Sequence, residues 1–197
     1  MRLHEGSAKP MKRETFQGVI DSVTQDSQDV LRDVAILQVS YRVGLRAREI
    51  AGLTLSDILD NDGNIRTQVT LRKKTTKGQK GGTAYFTHPE LRAALSAYIV
   101  ERRSKITTEY DNVFISKKKT PFCPSSMSRL FSNLYTRAGL EGHTSHSGRK
   151  GLARALNEQN VSIYNIQKIL RHSNVQTTIN HYLSVDEDVL ANLVGNV

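Results

Sequence analysis

A histidine and an arginine stand three residues apart in the stretch HTSHSGRKGLARAL, which covers residues 143–156. His146 has a side chain that can give or take a proton near neutral pH, and Arg149 carries a permanent charge on a fork that matches the oxygens of a phosphate. Lys150 and Arg154 add positive charge directly behind them. Taken alone, a His-x-x-Arg pair at a helix start is more often structural than catalytic, so the rest of the chain has to be considered with it.

Other segments of the chain carry residues of compatible chemistry. The segment GLRAREIAGL places Arg46 and Glu49 where a long apolar helix is predicted to meet a short one, and TTKGQK places Lys77 in a predicted turn. The segment ILRHSN places His172 just past a predicted helix end, and TTINHY places Tyr182 ten residues later. Arginines, histidines, a lysine and a tyrosine are therefore spread over separate segments of the chain.

These segments resemble the catalytic domain of the tyrosine recombinases, the phage integrase family, over about residues 12–197. GLRAREIAGL is similar to the first-arginine box of the family, and HSGR is similar to its His-x-x-Arg box. LRHSNVQTT is similar to the Leu-Gly-His box that precedes the nucleophilic tyrosine. One box would be weak evidence, but four elements in the order of the family and at catalytic-domain spacing are highly specific.

The resemblance implies catalytic roles for six residues, which are Arg46, Lys77, His146, Arg149, His172 and Tyr182. The arginines would bind the non-bridging oxygens of a scissile DNA phosphodiester, because guanidinium forks pair with phosphate bidentately. The histidines would add hydrogen bonds, and Tyr182 would attack the phosphorus to form a covalent 3′-phosphotyrosine. Lys77 would protonate the departing 5′ oxygen, and Glu49 would support the arginines. This chemistry needs neither ATP nor a metal ion, so no cofactor is predicted.

Some assignments leave alternatives open. Lys74 is the rival of Lys77 because several lysines surround the predicted turn, and Tyr164 is the rival nucleophile. His181 precedes Tyr182, so either residue could face the phosphate, although only a tyrosine can serve as the nucleophile. Two positions depart from the family pattern: Arg171 replaces the usual glycine before His172, and Lys150 stands where the family often has His or Arg.

Composition indicates an anionic partner. The chain has 197 residues, with 28 Lys and Arg against 19 Asp and Glu, a formal net charge of +9. Such an excess is expected for a protein that binds a polyanion, and double-stranded DNA is the predicted partner. The lone Cys123 excludes an internal disulfide framework. No apolar run is long enough to span a membrane and no signal peptide opens the chain, so a cytoplasmic location in a bacterial nucleoid or phage-infected cell is expected.

The elements that must position these residues are mainly helical. Helical patterning is predicted over about 12–23, 30–43, 47–53, from 87, 127–138, 147–158, 162–170 and 186–194. Two strands, at about 65–72 and 83–86, are predicted to pair across the turn that holds Lys77. The fold class is therefore mainly α with a small antiparallel β-sheet, the tyrosine recombinase catalytic-domain fold.

One domain is the simplest organisation, with residues 1–11 as a flexible N-terminal arm and residues 12–197 as the catalytic domain. The N-terminal core-binding domain of most family members is missing, which fits either a natural single-domain recombinase, like those that invert fimbrial promoters, or a fragment. The segment SVDEDVLANLV at 184–194 has an apolar stripe at helical spacing. The resemblance implies that it docks on a neighbouring protomer in a homotetramer on two DNA sites, and accessory DNA-bending proteins are further candidate partners.

The predicted function is site-specific DNA recombination through a covalent 3′-phosphotyrosine, in the integration, excision or inversion of a mobile or phage element. Two alternatives share the fold or the chemistry: a catalytically silent DNA-binding regulator, and a type IB topoisomerase-like enzyme that relaxes supercoils without exchanging strands. The intact set of six residues argues against the silent regulator. An RNA-binding module is disfavoured because only 6% of the residues are aromatic and none is Trp.

Overall fold

The computed structural model describes residues 8–72, 81–102 and 111–182, with side chains described up to residue 179. Lys77, its rival Lys74 and the C-terminal segment at 184–194 lie outside the described residues. Within the described ranges, no helix has the length and apolar character needed to cross a bilayer.

The described elements are mostly helices, and they confirm the predicted fold class. In chain order they are α1 (Arg13–Asp26), α2 (Val30–Gln38), a π-helical turn π1 (Val39–Val43), α3 (Ala47–Ala51), α4 (Leu55–Ile58), β1 (Gln68–Leu71), β2 (Gly82–Tyr85), α5 (Pro89–Arg102), α6 (Pro124–Arg137), α7 (Ser147–Glu158), α8 (Ile163–Leu170) and α9 (Val175–Tyr182). The sequence patterns did not predict α4, α9 or the change from α to π geometry at Val39.

The two strands form an antiparallel pair, as the alternating pattern predicts. Val69 faces Ala84 and Leu71 faces Gly82 across the ladder. Val69, Leu71 and Ala84 are buried, whereas Gln68 and Thr70 are exposed, so one face of the sheet packs against the core. This pairing fixes both ends of the connection that contains Lys77.

The main core is built around α2, which packs against α1, π1 and α5. Ala35, Ile36 and Leu37 are fully buried in it, since a helix in the centre of a bundle has no solvent-facing stripe. A smaller apolar cluster joins α7 to α8 through Ala153, Ile166 and Leu170. The helix that follows His146 and the helix that precedes His172 therefore have a core of their own.

Gly44 ends π1 and joins these two cores. Its φ is +67°, in the left-handed region that glycine adopts without strain. A side chain here would also collide with the methyl groups of Leu152 and Leu170, each 3.0 Å from the position of a Cβ atom. The predicted stop at Gly44 is thus confirmed, and the turn lets the chain pass directly over the α7–α8 cluster.

The N-terminal residues that the structure describes are packed against α7. The Met11 backbone N–H donates to the Ser147 carbonyl at 3.1 Å, and the Met11 side chain is only 1% exposed. Met11 was expected to belong to a flexible arm. The packed part of the chain therefore begins before α1.

Candidate active site

A broad cleft of about 1410 Å³ opens where the π1–α3 turn, the start of β2 and the helices α7 and α8 meet. Four of the predicted site residues line it: Arg46, Glu49, His146 and His172. They come from parts of the sequence separated by as many as 126 residues, from Arg46 to His172. The fold thus brings together side chains that the sequence could group only by resemblance.

Arg46 and Glu49 are fixed to each other at the start of α3. The Glu49 carboxylate accepts from the Arg46 backbone N–H at 2.9 Å and from Arg46 Nη1 at 2.8 Å. The first contact satisfies an N–H that a helix start leaves without an intrahelical partner. The Arg46 side chain is 23% exposed, so its guanidinium is held from behind and still reaches the cleft.

Glu49 is a fully buried carboxylate, with a side chain that is 0% exposed. Burial alone would raise its pKa, but the positive charges of Arg171 and Arg46 and the hydrogen bond from the Arg46 backbone outweigh burial and lower that pKa below its ordinary value. Glu49 is therefore ionised at neutral pH and acts as a charged anchor for the arginines around it.

Arg149 lies behind the wall of the cleft and does not line it. Its residue exposure is 1%, and its guanidinium donates to two backbone carbonyls, those of Gly44 and Leu170. Arg149 thus connects the turn before Arg46 to the end of α8. The predicted contact of Arg149 with a scissile phosphate stays a prediction.

His146 and Lys150 share one face of α7, since they are four residues apart, and both line the cleft. His146 occupies the N-cap position of the helix and is exposed. Lys150 is 9% exposed, and burial lowers its pKa below the ordinary 10.5. The first turn of α7 therefore presents two groups that can carry or exchange protons.

His172 follows α8 in a turn that holds its ring and its backbone. The ring nitrogen Nδ1 is 2.8 Å from Thr178 Oγ1 in α9, and the His172 backbone carbonyl accepts from Gln167 Nε2 at 3.0 Å. Thr178 is itself fully buried. These contacts orient the imidazole and also tie α9 to the turn.

Tyr182 is the last residue of α9, and its side chain lies outside the described atoms. The predicted nucleophile therefore sits one helix away from His172, at the end of an element that packs on α7 and α8. The rival Tyr164 is on α8, is 66% exposed, and is not among the described residues that line the cleft.

Lys77 cannot be placed, because residues 73–80 are not described. The residues that directly follow them, Gly81, Gly82 and Thr83, line the cleft. The role of Lys77, and of its rival Lys74, therefore stays a prediction.

Three further cations line the cleft that sequence reasoning did not assign to the site: Arg42, Lys168 and Arg171. Arg42 precedes Arg46 by four residues and Lys168 precedes His172 by four, but Gly44 and Arg171, both at positive φ, interrupt the helices between them. Helical spacing therefore gave no signal for these cations. The Arg42 guanidinium lies over the Tyr41 ring at 5.2 Å and pairs with Glu90 at 2.8 Å. Among the described lining residues Glu49 is the one carboxylate, so the cleft suits an anionic ligand.

No group of three or more His, Cys, Asp or Glu side chains within the described ranges is arranged to hold a metal ion.

Comparison with known proteins identifies relatives of the chain. Residues 9–188 match the phage integrase family. Transposase A of transposon Tn554 from Staphylococcus aureus is 28% identical over 199 aligned residues, which cover 98% of this chain and 53% of the transposase. The chain spans about half the length of the curated relatives it matches.

Solved structures share the fold. The XerA recombinase superimposes with a TM-score of 0.76 and 25% identity, over 95% of this chain and 64% of XerA. The XerH site-specific recombinase, bound to a palindromic difH substrate in a post-cleavage complex, superimposes with a TM-score of 0.73 and 19% identity, over 98% of this chain and 55% of XerH. The second likeness is evidence for the fold alone.

Proposed function

We propose that this chain, which belongs to the phage integrase family of tyrosine recombinases, is the catalytic part of a site-specific recombinase that acts on double-stranded DNA. The observation that carries the proposal is the convergence of Arg46, His146 and His172 on one basic cleft, with Arg149 buried behind them. A DNA phosphodiester is an anion of the size and geometry that such groups bind. The names of the relatives, which include a transposase and recombinases, agree with this substrate class.

In the proposed mechanism, Arg46 and His172 bind the non-bridging oxygens of the scissile phosphodiester. Donors fixed before the reaction stabilise the charge that develops on these oxygens in the transition state. Arg149 holds the Gly44 turn and the end of α8 in place, and so fixes where Arg46 and His172 stand. We retain a direct phosphate contact by Arg149 as part of the proposal, to be tested by substitution.

The bond-making step is assigned to Tyr182. Its phenol oxygen forms a bond to phosphorus as the bond from phosphorus to the 5′ oxygen breaks, giving a 3′-phosphotyrosine and a 5′ hydroxyl. The phenol proton passes to a neighbouring base, for which His146 is the candidate, and Lys77 supplies the proton of the leaving oxygen. Attack by a 5′ hydroxyl on the phosphotyrosine reverses the step and rejoins a strand, so the bond energy is retained.

Recombination joins strands from two DNA sites, so the proposal includes assembly. We propose a homotetramer on two sites in which the segment at 184–194 of each protomer docks on a neighbour. The apolar stripe of Val189, Leu190, Leu193 and Val194 supports this, because burying each large side chain contributes roughly 1.5–3 kcal/mol.

Trapping on a nicked suicide substrate tests the chemistry. The DNA carries the ends of the element that encodes the chain, with a nick that lets the leaving fragment diffuse away. We expect a covalent complex whose adduct maps to Tyr182 by mass spectrometry. Tyr182→Phe should abolish the complex and retain DNA binding, because the phenol oxygen is the nucleophile and contributes little to holding the backbone.

Tyr164→Phe is the matched control and should cleave normally. An adduct on Tyr164, or undiminished cleavage by Tyr182→Phe, would contradict the assignment. Rapid relaxation of a supercoiled plasmid that lacks the element's ends would favour a topoisomerase instead, and DNA binding without any covalent complex would favour a silent regulator.

A further inference from the structure

Arg171 contacts a partner of each of the two predicted phosphate-binding arginines, Arg46 and Arg149. Its Nη2 lies 3.3 Å from Glu49 Oε2 and 3.3 Å from the Gly44 carbonyl oxygen. Its side chain is 9% exposed, so these contacts are largely shielded from water. Buried charge-assisted contacts of this kind hold their geometry better than exposed ones.

Both acceptors of Arg171 are shared. Glu49 also binds Arg46, and the Gly44 carbonyl also binds Arg149. Arg171 therefore links the two arginines that the proposed function places at the phosphate, although it touches neither directly. A shift of Arg171 would change the position of the carboxylate behind Arg46 and of the carbonyl that holds Arg149.

Arg171 also joins the other segments of the site. It directly precedes His172 and ends α8, and its Nη1 donates to the Ile169 carbonyl at 2.9 Å. Its stem packs against Gly82 at the start of β2, so closely that a Cβ atom at Gly82 would stand 2.9 Å from Arg171 Cδ. One side chain thus connects the π1–α3 turn, the His172 turn and the strand that follows the connection containing Lys77.

The backbone of Arg171 is in a conformation that favours glycine. Its φ is +54°, in the left-handed region where a side chain causes strain of about 1–2 kcal/mol. Glycine, the usual residue of the resembling family at this position, would remove that strain. The strain is therefore tolerated because the guanidinium makes contacts that glycine cannot make.

We propose that Arg171 is a positioning residue that holds the Glu49 carboxylate and the Gly44 carbonyl, and so sets Arg46, Arg149 and His172 in one frame. It acts through Glu49 and the Gly44 carbonyl and does not need to touch the DNA. The inference deepens the proposed function and rests on it for its effect on cleavage.

Three substitutions of Arg171 distinguish a positioning role of its contacts from an effect of the turn conformation and from an effect of its charge. Arg171→Gly fits the positive φ and removes the contacts, Arg171→Gln removes the charge, and Arg171→Lys keeps the charge but not the fork. In single-turnover cleavage of the suicide substrate, Arg171→Gly and Arg171→Gln should each slow the reaction by about 10–100-fold, because a small misplacement of catalytic groups has an effect of this size. Lys should be intermediate, and the Kd for DNA should change less than about threefold.

A double-mutant cycle tests whether Arg171 acts through the carboxylate. In a Glu49→Gln background, Arg171→Gln should slow cleavage by less than it does in the wild-type chain, because the contact with the carboxylate is already lost and only the contact with the Gly44 carbonyl remains. Arg32→Gln is the matched control, since Arg32 is also a buried arginine, 6% exposed and paired with Asp33 at 2.8 Å, and lies outside the cleft. It should lower stability without slowing cleavage by the folded protein.

The ionisation of Glu49 can be measured without DNA. The charges that face Glu49 are Arg171 across the turn, Arg46 on its own helix, and Arg149 from α7. Arg171→Gln should raise the Glu49 pKa, measured from the NMR chemical shift of its carboxyl carbon in the full chain. Arg32→Gln should leave this pKa unchanged. In Arg171→Gln, cleavage should then fall more steeply than wild-type cleavage as pH falls through the raised Glu49 pKa.

The outcomes are distinct. Normal cleavage by Arg171→Gly would overturn the proposal by showing that only the turn matters. Multiplying effects in the cycle, or an unchanged Glu49 pKa in Arg171→Gln, would overturn it as well. If the wild-type chain cleaves no DNA, the proposed function fails, and the pKa measurement still decides whether Arg171 holds the Glu49 carboxylate.

Discussion

The chemistry of the site at the residue scale depends on one buried negative charge. Glu49 is enclosed by Arg46 and Arg171, and a carboxylate in this position is stable only when it is ionised and paired. The pairing also orients the Arg46 guanidinium, which is the partly exposed member of the set. A positively charged group aimed at the cleft is therefore kept in place by a negative charge that is itself buried.

The two predicted phosphate-binding arginines should respond differently to lysine. Arg46→Lys keeps the fold but loses the fork, so we expect cleavage to fall by at least about a hundredfold, within the several kcal/mol that a transition-state donor supplies. Arg149→Lys should in addition lower the free energy of unfolding by about 1–3 kcal/mol, because the buried guanidinium satisfies two backbone carbonyls.

Urea unfolding and single-turnover cleavage on the same preparations measure both quantities. If Arg149→Lys proves as stable as wild type, the two carbonyl contacts contribute little to folding. If either variant cleaves nearly normally, that arginine is not part of the catalytic machinery.

Glu49 also predicts how stability depends on pH. Its folded-state pKa is lowered, so its contribution to stability is fully present above its ordinary pKa of 4.5 and is lost as pH falls through the lowered folded-state value. We therefore expect the difference in unfolding free energy between wild type and Glu49→Gln to be about 3 kcal/mol at neutral pH and to shrink in acid. Urea titrations at a series of pH values below neutrality measure this difference.

Glu158→Gln is the control for that titration, since its pair with Arg154 is exposed on both sides. Its difference from wild type should be small at every pH. A difference for Glu49→Gln that does not change with pH would show that the carboxylate is not the group responsible.

At the scale of elements, the site depends on how closely α7 approaches the end of α2. The helix carries His146, Arg149 and Lys150, and its Gly151 meets the Met11 backbone carbonyl and the Tyr41 ring. The absence of a side chain lets α7 sit directly on π1, and this sets the depth of Arg149 below the cleft. Packing at this contact therefore positions three residues of the site at once.

Alanine at Gly151 should be destabilising even though alanine is the better helix former. A Cβ atom at Gly151 would stand 2.8 Å from Tyr41 Cε2 and closer still to the Met11 carbonyl. We expect Gly151→Ala to lower the unfolding free energy by about 1–3 kcal/mol, the usual cost of overpacking, and to slow cleavage.

Gly18→Ala is the matched control, because Gly18 lies within α1 and a Cβ atom there would meet nothing within 4 Å. Relief of the intrinsic cost of glycine should raise stability by about 0.5–1 kcal/mol. Thermal unfolding of both variants measures the contrast. Stabilisation by Gly151→Ala would show that the contact between α7 and π1 is loose.

The sequence predicted the helices that have strong apolar periodicity, and missed those that do not. Val30, Val34 and Leu37 recur at helical spacing, and α2 begins at Val30. In contrast, α9 has the sequence VQTTINHY, and its buried anchor is Thr178, a polar residue whose partner His172 is known only from the fold. The π1 turn was also missed, because hydrogen-bond pitch leaves no mark in apolar spacing.

The same reasoning explains which parts of the site were predicted. The resemblance to the family pointed to a phosphate site at Arg46, His146 and His172, and the cleft brings these residues together. The burial of Arg149 and the linking contacts of Arg171 were not predictable, because they depend on which backbone carbonyls the turns at Gly44 and Leu170 present. Such contacts are tertiary and have no spacing rule.

At the scale of the whole molecule, part of the excess positive charge lies along the cleft. The net charge is +9, and Arg42, Arg46, Lys150, Lys168 and Arg171 all line the cleft. Glu49 offsets part of the charge of Arg46 and Arg171, and Glu90 offsets part of the charge of Arg42. In the proposed function, the remaining positive charge contacts DNA phosphates. Several such contacts would make binding strongly dependent on salt, since each one releases condensed counterions.

We therefore expect the affinity for a DNA duplex to fall steeply with salt, with a slope of log affinity against log salt concentration of about 0.9 for each phosphate contact. Lys168 is exposed and lines the cleft, so Lys168→Gln should reduce the slope by about one contact. Lys118 is exposed but does not line the cleft, and Lys118→Gln should leave the slope unchanged. Fluorescence anisotropy over a salt series measures all three slopes.

Equal slopes for wild type and Lys168→Gln would place the DNA elsewhere on the surface. Equal reductions of the slope in Lys168→Gln and Lys118→Gln would mean that the charge acts as a diffuse field and not through the cleft.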